Sequence, residues 1–204
     1  MSNNAEVQIT IYNANKNVAG IQTWKVSNVS KQGTGFQSTV HSVFVDEKGK
    51  EIAKSEGMYK CDGSKLMADM RMSLPQDQLQ QNKMDAKLND SYIEYPSLLS
   101  VGMALPDASV NMEMNNNGMP STVQYEMKNR KVVGKETITS DAGTWEAYKI
   151  SYDGLMRIKM AGIGVPVNMQ INEWFVPNFG VVKSETFSKK GKMKGYSLLT
   201  KFKK

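Results

Sequence analysis

Apolar residues recur at every second position along most of the chain, and this period of two is what limits the fold. Val7, Ile9 and Ile11 share one strand face, as do Trp24 with Val26, and Phe36 with Val40 and Phe44. Successive side chains of a strand point to opposite faces, so such runs bury one face and wet the other. The alternation continues in Ile52 to Lys60, in Leu66, Ala68, Met70, Met72 and Leu74, and in Val110, Met112 and Met114. It returns in Val123 to Met127, Val132 to Thr139, Thr144 to Tyr152, Met156 to Met160, Val167 to Ile171, Val181 to Phe187 and Tyr196 to Phe202. Turn residues such as Asp46-Glu47-Lys48-Gly49-Lys50 stand between the runs. About ten or eleven short strands at this spacing predict a mainly β protein, a sandwich or barrel-like antiparallel sheet without βαβ units.

One stretch leaves the rhythm. Pro75 to Asp90 is polar and rich in Gln, with Leu79, Met84 and Leu88 spaced as a helical stripe and Pro75 suited to a first turn. Tyr95 to Met103 predicts a second short helix. Such a connection either caps an open end of the sheet or acts as a lid over a cavity.

At 204 residues the chain is long enough for a core of its own, and we expect one β-rich domain over residues 1–204. The net charge of +6 is concentrated in Lys189, Lys190, Lys192 and Lys194 around Gly191 and in Lys201, Lys203 and Lys204. Lysines there keep a hairpin turn and a strand end soluble, and no aromatic residues accompany them as a base-stacking groove requires, so no nucleic-acid partner is expected. Cys61 is the single cysteine, which excludes an intrachain disulfide. No apolar run reaches transmembrane length, and the start lacks the basic and apolar parts of a signal peptide, as in a cytosolic protein or a mature exported domain.

Candidate chemistry is sparse. His41 is the only histidine, so multi-histidine metal sites are excluded, and its position opposite the apolar strand face places it at the surface. No flanking motif supports a Cys61–His41 dyad. Glu173 beside Trp174 and Asp153 beside Tyr152 are the carboxylates a hydrolase would need, yet such adjacency arises by chance and reads as solvent-facing or strand-end carboxylates. Gly162-Ile163-Gly164 lacks the lysine and strand-to-helix setting of a phosphate loop; it marks a hairpin, with Pro166 breaking regular pairing nearby. No catalytic residue, metal ligand or cofactor is assigned.

Methionine is the compositional outlier, with 15 residues, more than Leu or Ile. Thioethers either fill irregular gaps in a core or conform to varied apolar ligands. Met70 with Met72 and Met112 with Met114 share strand faces that could wall a cavity inside a curved sheet.

Several segments resemble the TapB-like family of bacterial envelope proteins of unassigned activity. They include Tyr12 to Gly20, Tyr59-Lys60-Cys61-Asp62-Gly63, Tyr95-Pro96 with Gly102 to Ala108, and Asn129-Arg130-Lys131-Val132. Ala142 to Ile150, Trp174 to Glu185 and Lys190 to Tyr196 complete the set. The resemblance implies a periplasmic or secreted domain, its leader absent from this chain. It also implies a strongly curved antiparallel sheet, an open or half barrel like the LolA and LolB lipoprotein carriers, with one or two short helices over the concave side. On that basis we expect a non-enzymatic protein binding a lipid or acyl chain, with peripheral membrane contact. The ligand-binding residues expected are Met70, Met72, Met112, Met114, Met169 and Phe175 on the sheet. Leu79, Met84, Leu98 and Leu99 are expected in the lid. The alternative is a structural or protein-interaction module with a filled Met-rich core, and a weaker third reading is a hydrolase using a carboxylate pair.

Overall fold

The computed structural model describes residues 2–73, 91–116, 119–160 and 163–204. Twelve strands form one antiparallel sheet among them. The first six are β1 (Glu6–Asn13), β2 (Val18–Gln32), β3 (Gly35–Asp46), β4 (Glu51–Cys61), β5 (Lys65–Asp69) and β6 (Tyr92–Pro96). The others are β7 (Ala108–Asn116), β8 (Met119–Ser140), β9 (Gly143–Met160), β10 (Ile163–Val176), β11 (Gly180–Ser188) and β12 (Met193–Lys203). Their order, β6-β5-β4-β3-β2-β1-β12-β11-β10-β9-β8-β7, joins the two chain ends through β1 and β12 and leaves β6 and β7 at the extremes. The sheet curls until β6 and β7 lie against each other, a nearly closed barrel with no ladder across that seam among the described residues.

The alternation read from the sequence puts Val26, Val40, Tyr59, Ala68, Ile93 and Tyr95 on one inner face, where they meet Val110, Met112, Tyr125, Ile150 and Phe175. A smaller cluster of Ile9, Ile138, Ala147, Trp174, Val182 and Leu199 forms where β8 reaches β12, four places away in the order; Trp24 packs against both clusters. Bulges supply the curvature, with register shifts in six of the strand pairings besides β8 with β9, which has two.

The structure corrects five expectations. Val123 to Met127 and Val132 to Thr139 belong to the single strand β8, because two bulges carry the chain on without a turn. Thr144 to Tyr152 and Met156 to Met160 likewise merge in β9; the apolar pattern lapses at Gly154 because a Cβ there would stand 2.5 Å from Ile171 Cδ1. The run from Leu66 to Leu74 stops being a strand at Asp69, whose carboxylate accepts from the Arg71 backbone N–H at 2.9 Å and from its guanidinium. This local bonding competes with the ladder and winds Met70–Ser73 into a single 3₁₀ turn. Tyr95 to Met103 is not helical either: β6 runs through Pro96 and turns follow, Ser97 N–H donating to Ser64 O at 2.8 Å. The expected helix over Pro75 to Asp90 lies outside the described residues. Pro166 sits inside a regular ladder opposite Arg157, tolerated because β11 pairs with β10 only from Met169 onward and leaves that stretch of β10 with a free edge.

Gly35 is a position where only hydrogen fits. A Cβ there would stand 1.7 Å from the Cys61 carbonyl oxygen, so Gly35→Ala must push β3 from β4 at the Phe36–Cys61 pair. We expect it to lower stability by about 1–3 kcal/mol or more, whereas Gly134→Ala, with nothing within 4 Å, leaves the urea midpoint unchanged. Equal midpoints for the two variants would contradict this packing.

Candidate functional site

A buried pair of opposite charges sits among the apolar side chains inside the barrel. Val123, Tyr125 and Met127 face inward at odd positions of β8. The bulge between Lys128 and Lys131, with Asn129 at φ 57°, then shifts the phase so that Arg130 and Val132 face inward instead. Asn129 is held from both sides: its N–H donates to Asp107 Oδ1 at 3.0 Å and its Nδ2 to Asp153 Oδ2 at 2.8 Å. Arg130 is thereby carried to 1% exposure. Its Nη1 donates to Glu94 O of β6 at 3.1 Å and to Pro106 O just before β7 at 2.8 Å. One guanidinium thus spans the seam that no ladder closes.

Opposite it, Glu173 on β10 is 5% exposed, between the inward Ile171 and Phe175. Its Oε1 lies 3.9 Å from Arg130 Nη2, too far for a hydrogen bond. Arg130 Nε and Nη2 and Glu173 Oε1 are left without partners, as is Trp24 Nε1. Tyr152 donates to Glu173 Oε2 at 3.4 Å, and Tyr95 lies under the guanidinium at 5.1 Å while stacking on Phe175 at 4.3 Å. Burial raises the Glu173 carboxyl above the usual range, opposed by the Arg130 charge and by the Tyr95 and Tyr152 hydroxyls. Burial, with the nearby Glu173 charge, likewise raises the phenols of Tyr95, Tyr125 and Tyr152. Desolvation makes unpaired ionic atoms costly, so this centre suits a small polar group that both donates and accepts.

The inner stripe of β10 links the pair to solvent. Val165 is 67% exposed, Val167 is exposed, Met169 is half-buried, and Ile171 and Glu173 are buried. An open depression of about 240 Å³ lies at the β8 bulge, walled by Asn129, Lys131, Val133 and Tyr152 among others.

Six of the ten expected binding residues converge. Met70, Met72, Met112 and Phe175 are in the main core, with Met169 and Leu99 packed against it. All six belong to one apolar cluster; Met72 covers Gly57, where a Cβ would meet its Cγ at 2.7 Å. Leu98 is 84% exposed and covers nothing, because Leu99 takes the inward position beside it. Leu79 and Met84 lie outside the described residues, as does the side chain of Met114, whose backbone pairs with Ser121. Glu173, expected to face solvent, is buried because the β10 inner face continues through it. Arg130 was missed by sequence reasoning; its signal was the switch from odd to even apolar positions across Asn129-Arg130. His41 is at the surface as expected, its Nε2 2.9 Å from Ser27 Oγ and its Nδ1 3.1 Å from Glu56 Oε2 on an exposed face of β2, β3 and β4. Among the described residues no cluster of three His, Cys, Asp or Glu side chains could hold a metal ion.

Fold and centre together define a nearly closed, single-sheet antiparallel barrel enclosing an arginine–glutamate pair. The chain belongs to the DUF3108-like family, whose model matches residues 3–199. Two solved structures share the fold. A candidate exported protein of Bacteroides fragilis with a YmcC-like fold superposes with a TM-score of 0.83 at 21% identity, covering 100% of this chain and 97% of that one. A candidate lipoprotein of Parabacteroides distasonis gives 0.84 at 19% identity, over 99% and 96%. Comparison with curated proteins gives no match.

Proposed function

We propose that this chain is a non-enzymatic protein of the bacterial envelope that holds one amphipathic molecule, a lipid or acyl chain, in its barrel. Its apolar part would follow the inner stripe of β10 and its polar end would reach Arg130 and Glu173. The observation that carries this reading is the buried pair with three unpartnered polar atoms at the inner end of an apolar stripe that begins in solvent. The address is supported by the descriptions of the two neighbours as exported protein and lipoprotein. The likeness to TapB-like and LolA-like proteins belongs to the same reading. Burial of an alkyl chain supplies about 0.8 kcal/mol per methylene, less the cost of ordering it.

A second reading keeps the envelope address but makes the interior an ordinary filled core. The Met72–Gly57 contact and the Tyr95–Phe175 stack favour it. Native mass spectrometry of the untreated protein, with titration of delipidated protein by a fluorescent fatty-acid analogue, separates the two. We expect an added mass and saturable binding, weakened at least about tenfold by Val167→Asp, which places a charge on the exposed stripe at little cost to folding. No added mass and no probe binding would leave the filled core as the function-neutral interior.

A further inference from the structure

The Arg130–Glu173 centre also limits the chemical class of head group it can take, an inference that rests on the amphipathic-ligand reading above. Arg130 spends its Nη1 hydrogens on Glu94 O and Pro106 O, at 3.1 and 2.8 Å. Its Nε and Nη2 share the opposite edge of the guanidinium, a fork of parallel donors without a hydrogen-bond partner. Glu173 is engaged at Oε2 by the Tyr152 hydroxyl at 3.4 Å, while its Oε1 is unpartnered. That oxygen stands 3.9 Å from Nη2, so free donors and a free acceptor lie side by side. Both side chains are more than nine-tenths buried.

Charge decides the rest. Among the described residues the buried charged side chains are Asp69, Arg130 and Glu173. The Arg71 guanidinium covers Asp69, so at the centre one positive charge meets one negative. Facing the pair are Tyr59 of β4, Tyr95 of β6, Tyr125 of β8 and Tyr152 of β9. Burial first, and nearby carboxylates second, hold these phenols above their ordinary range and keep them uncharged. An anionic head would set two negative charges against one positive in a desolvated space, and a cationic head would do the reverse. An uncharged head keeps the balance. Its oxygen can accept from Nε–H and Nη2–H while its own N–H or O–H donates to Oε1.

We propose that the centre selects amphiphiles whose head is uncharged and carries an acceptor and a donor close together, as a primary amide or a glycerol ester does, and discriminates against ionised carboxylate, phosphate and ammonium heads. A fatty acid then enters only with a proton, shared between its carboxyl and Glu173, because two carboxylates in contact do not both stay ionised.

Displacement of the fluorescent fatty-acid probe from the delipidated whole protein tests it, with myristamide, monomyristoylglycerol, myristic acid and myristyl phosphate as competitors of equal chain length. At mildly alkaline pH we expect the first two to displace the probe at concentrations about tenfold or more below the last two. As the pH falls to mildly acidic, myristic acid should gain affinity by up to about tenfold per unit, the signature of one proton taken up with the ligand, and myristamide should hold its affinity. Glu173→Gln leaves the Arg130 charge uncompensated and should reverse the order in favour of myristic acid. The wild-type pH comparison needs no variant, so the test stands even where Glu173→Gln fails to fold. Myristic acid that competes as well as myristamide at mildly alkaline pH overturns the inference and leaves the ligand reading intact, as does an unchanged order in folded Glu173→Gln. Failure of the probe and of every competitor to bind overturns both.

Discussion

Replacing Arg130 by methionine is expected to cost about 3–5 kcal/mol of stability, because it leaves the Glu173 carboxylate buried without its compensating charge. It also strips Glu94 O and Pro106 O of their shared donor, so the β6–β7 seam loses the side chain that spans it. Urea unfolding at neutral pH measures the loss. The double variant Arg130→Met, Glu173→Gln should recover roughly half, since no charge remains buried while the two carbonyls stay unsatisfied. A near-neutral single variant would show that the pair is hydrated and contributes nothing to holding the seam.

The same pair sets the sign of a pH effect. The folded Glu173 carboxyl lies above its ordinary 4.5, so the folded state binds this proton more tightly than the unfolded chain. Its destabilising contribution is full above the raised folded value and vanishes below about 4.5, so stability rises as pH falls through that window. Glu126, held down first by its hydrogen bond with Lys128, and Glu136, held down first by Trp174, act oppositely. Their contribution is present above 4.5 and disappears as pH falls through their lowered folded values; Glu136 is exposed to solvent screening, and Glu126 is half-buried. Urea midpoints across pH should therefore rise modestly on mild acidification and fall on stronger acidification, and Glu173→Gln should abolish the rise alone. A rise that persists in Glu173→Gln assigns it to another group.

Sheet architecture was legible because burial of one face imposes a period of two, which Gln22, Trp24 and Val26 of β2 and Ser38 to Phe44 of β3 follow, although the bulge after Ser27 breaks it to bring Val29 to the core. The centre was not, because a bulge is a change of phase rather than a pattern. The chain around Asn129 and Arg130 reads as a polar gap between strands, whereas in space two acceptors, Asp107 and Asp153, fix Asn129 in the left-handed region and swing Arg130 inside. Glu173 was misread for a related reason. A carboxylate on an otherwise apolar face looks like a strand end until its partner, 43 positions earlier in the chain, is known. Conversely, Met70 and Met72 were correctly grouped although the strand invoked to align them ends at Asp69; a 3₁₀ turn also delivers both to the core.

Truncating Phe175 to alanine is the second large effect, and it tells a wall from a core. The ring is fully buried and stacks on Tyr95 from β6 with centroids 4.3 Å apart and planes within 5°. Removal of a ring in such a site costs about 3–5 kcal/mol through lost transfer energy and an unfilled cavity, and Tyr95 loses a stacking partner worth about 0.5–1.5 kcal/mol of that total. We expect Phe175→Ala to fall in this range and Phe175→Leu to lose less than half as much, with the fatty-acid probe still bound by whatever folded protein remains. That outcome makes Phe175 the floor beneath the Arg130–Glu173 centre and confines any ligand to the stripe from Val165 to Ile171. If instead Phe175→Ala keeps its urea midpoint while probe binding is lost, the ring is a wall of the ligand's own space, and the interior is held open in solution rather than packed.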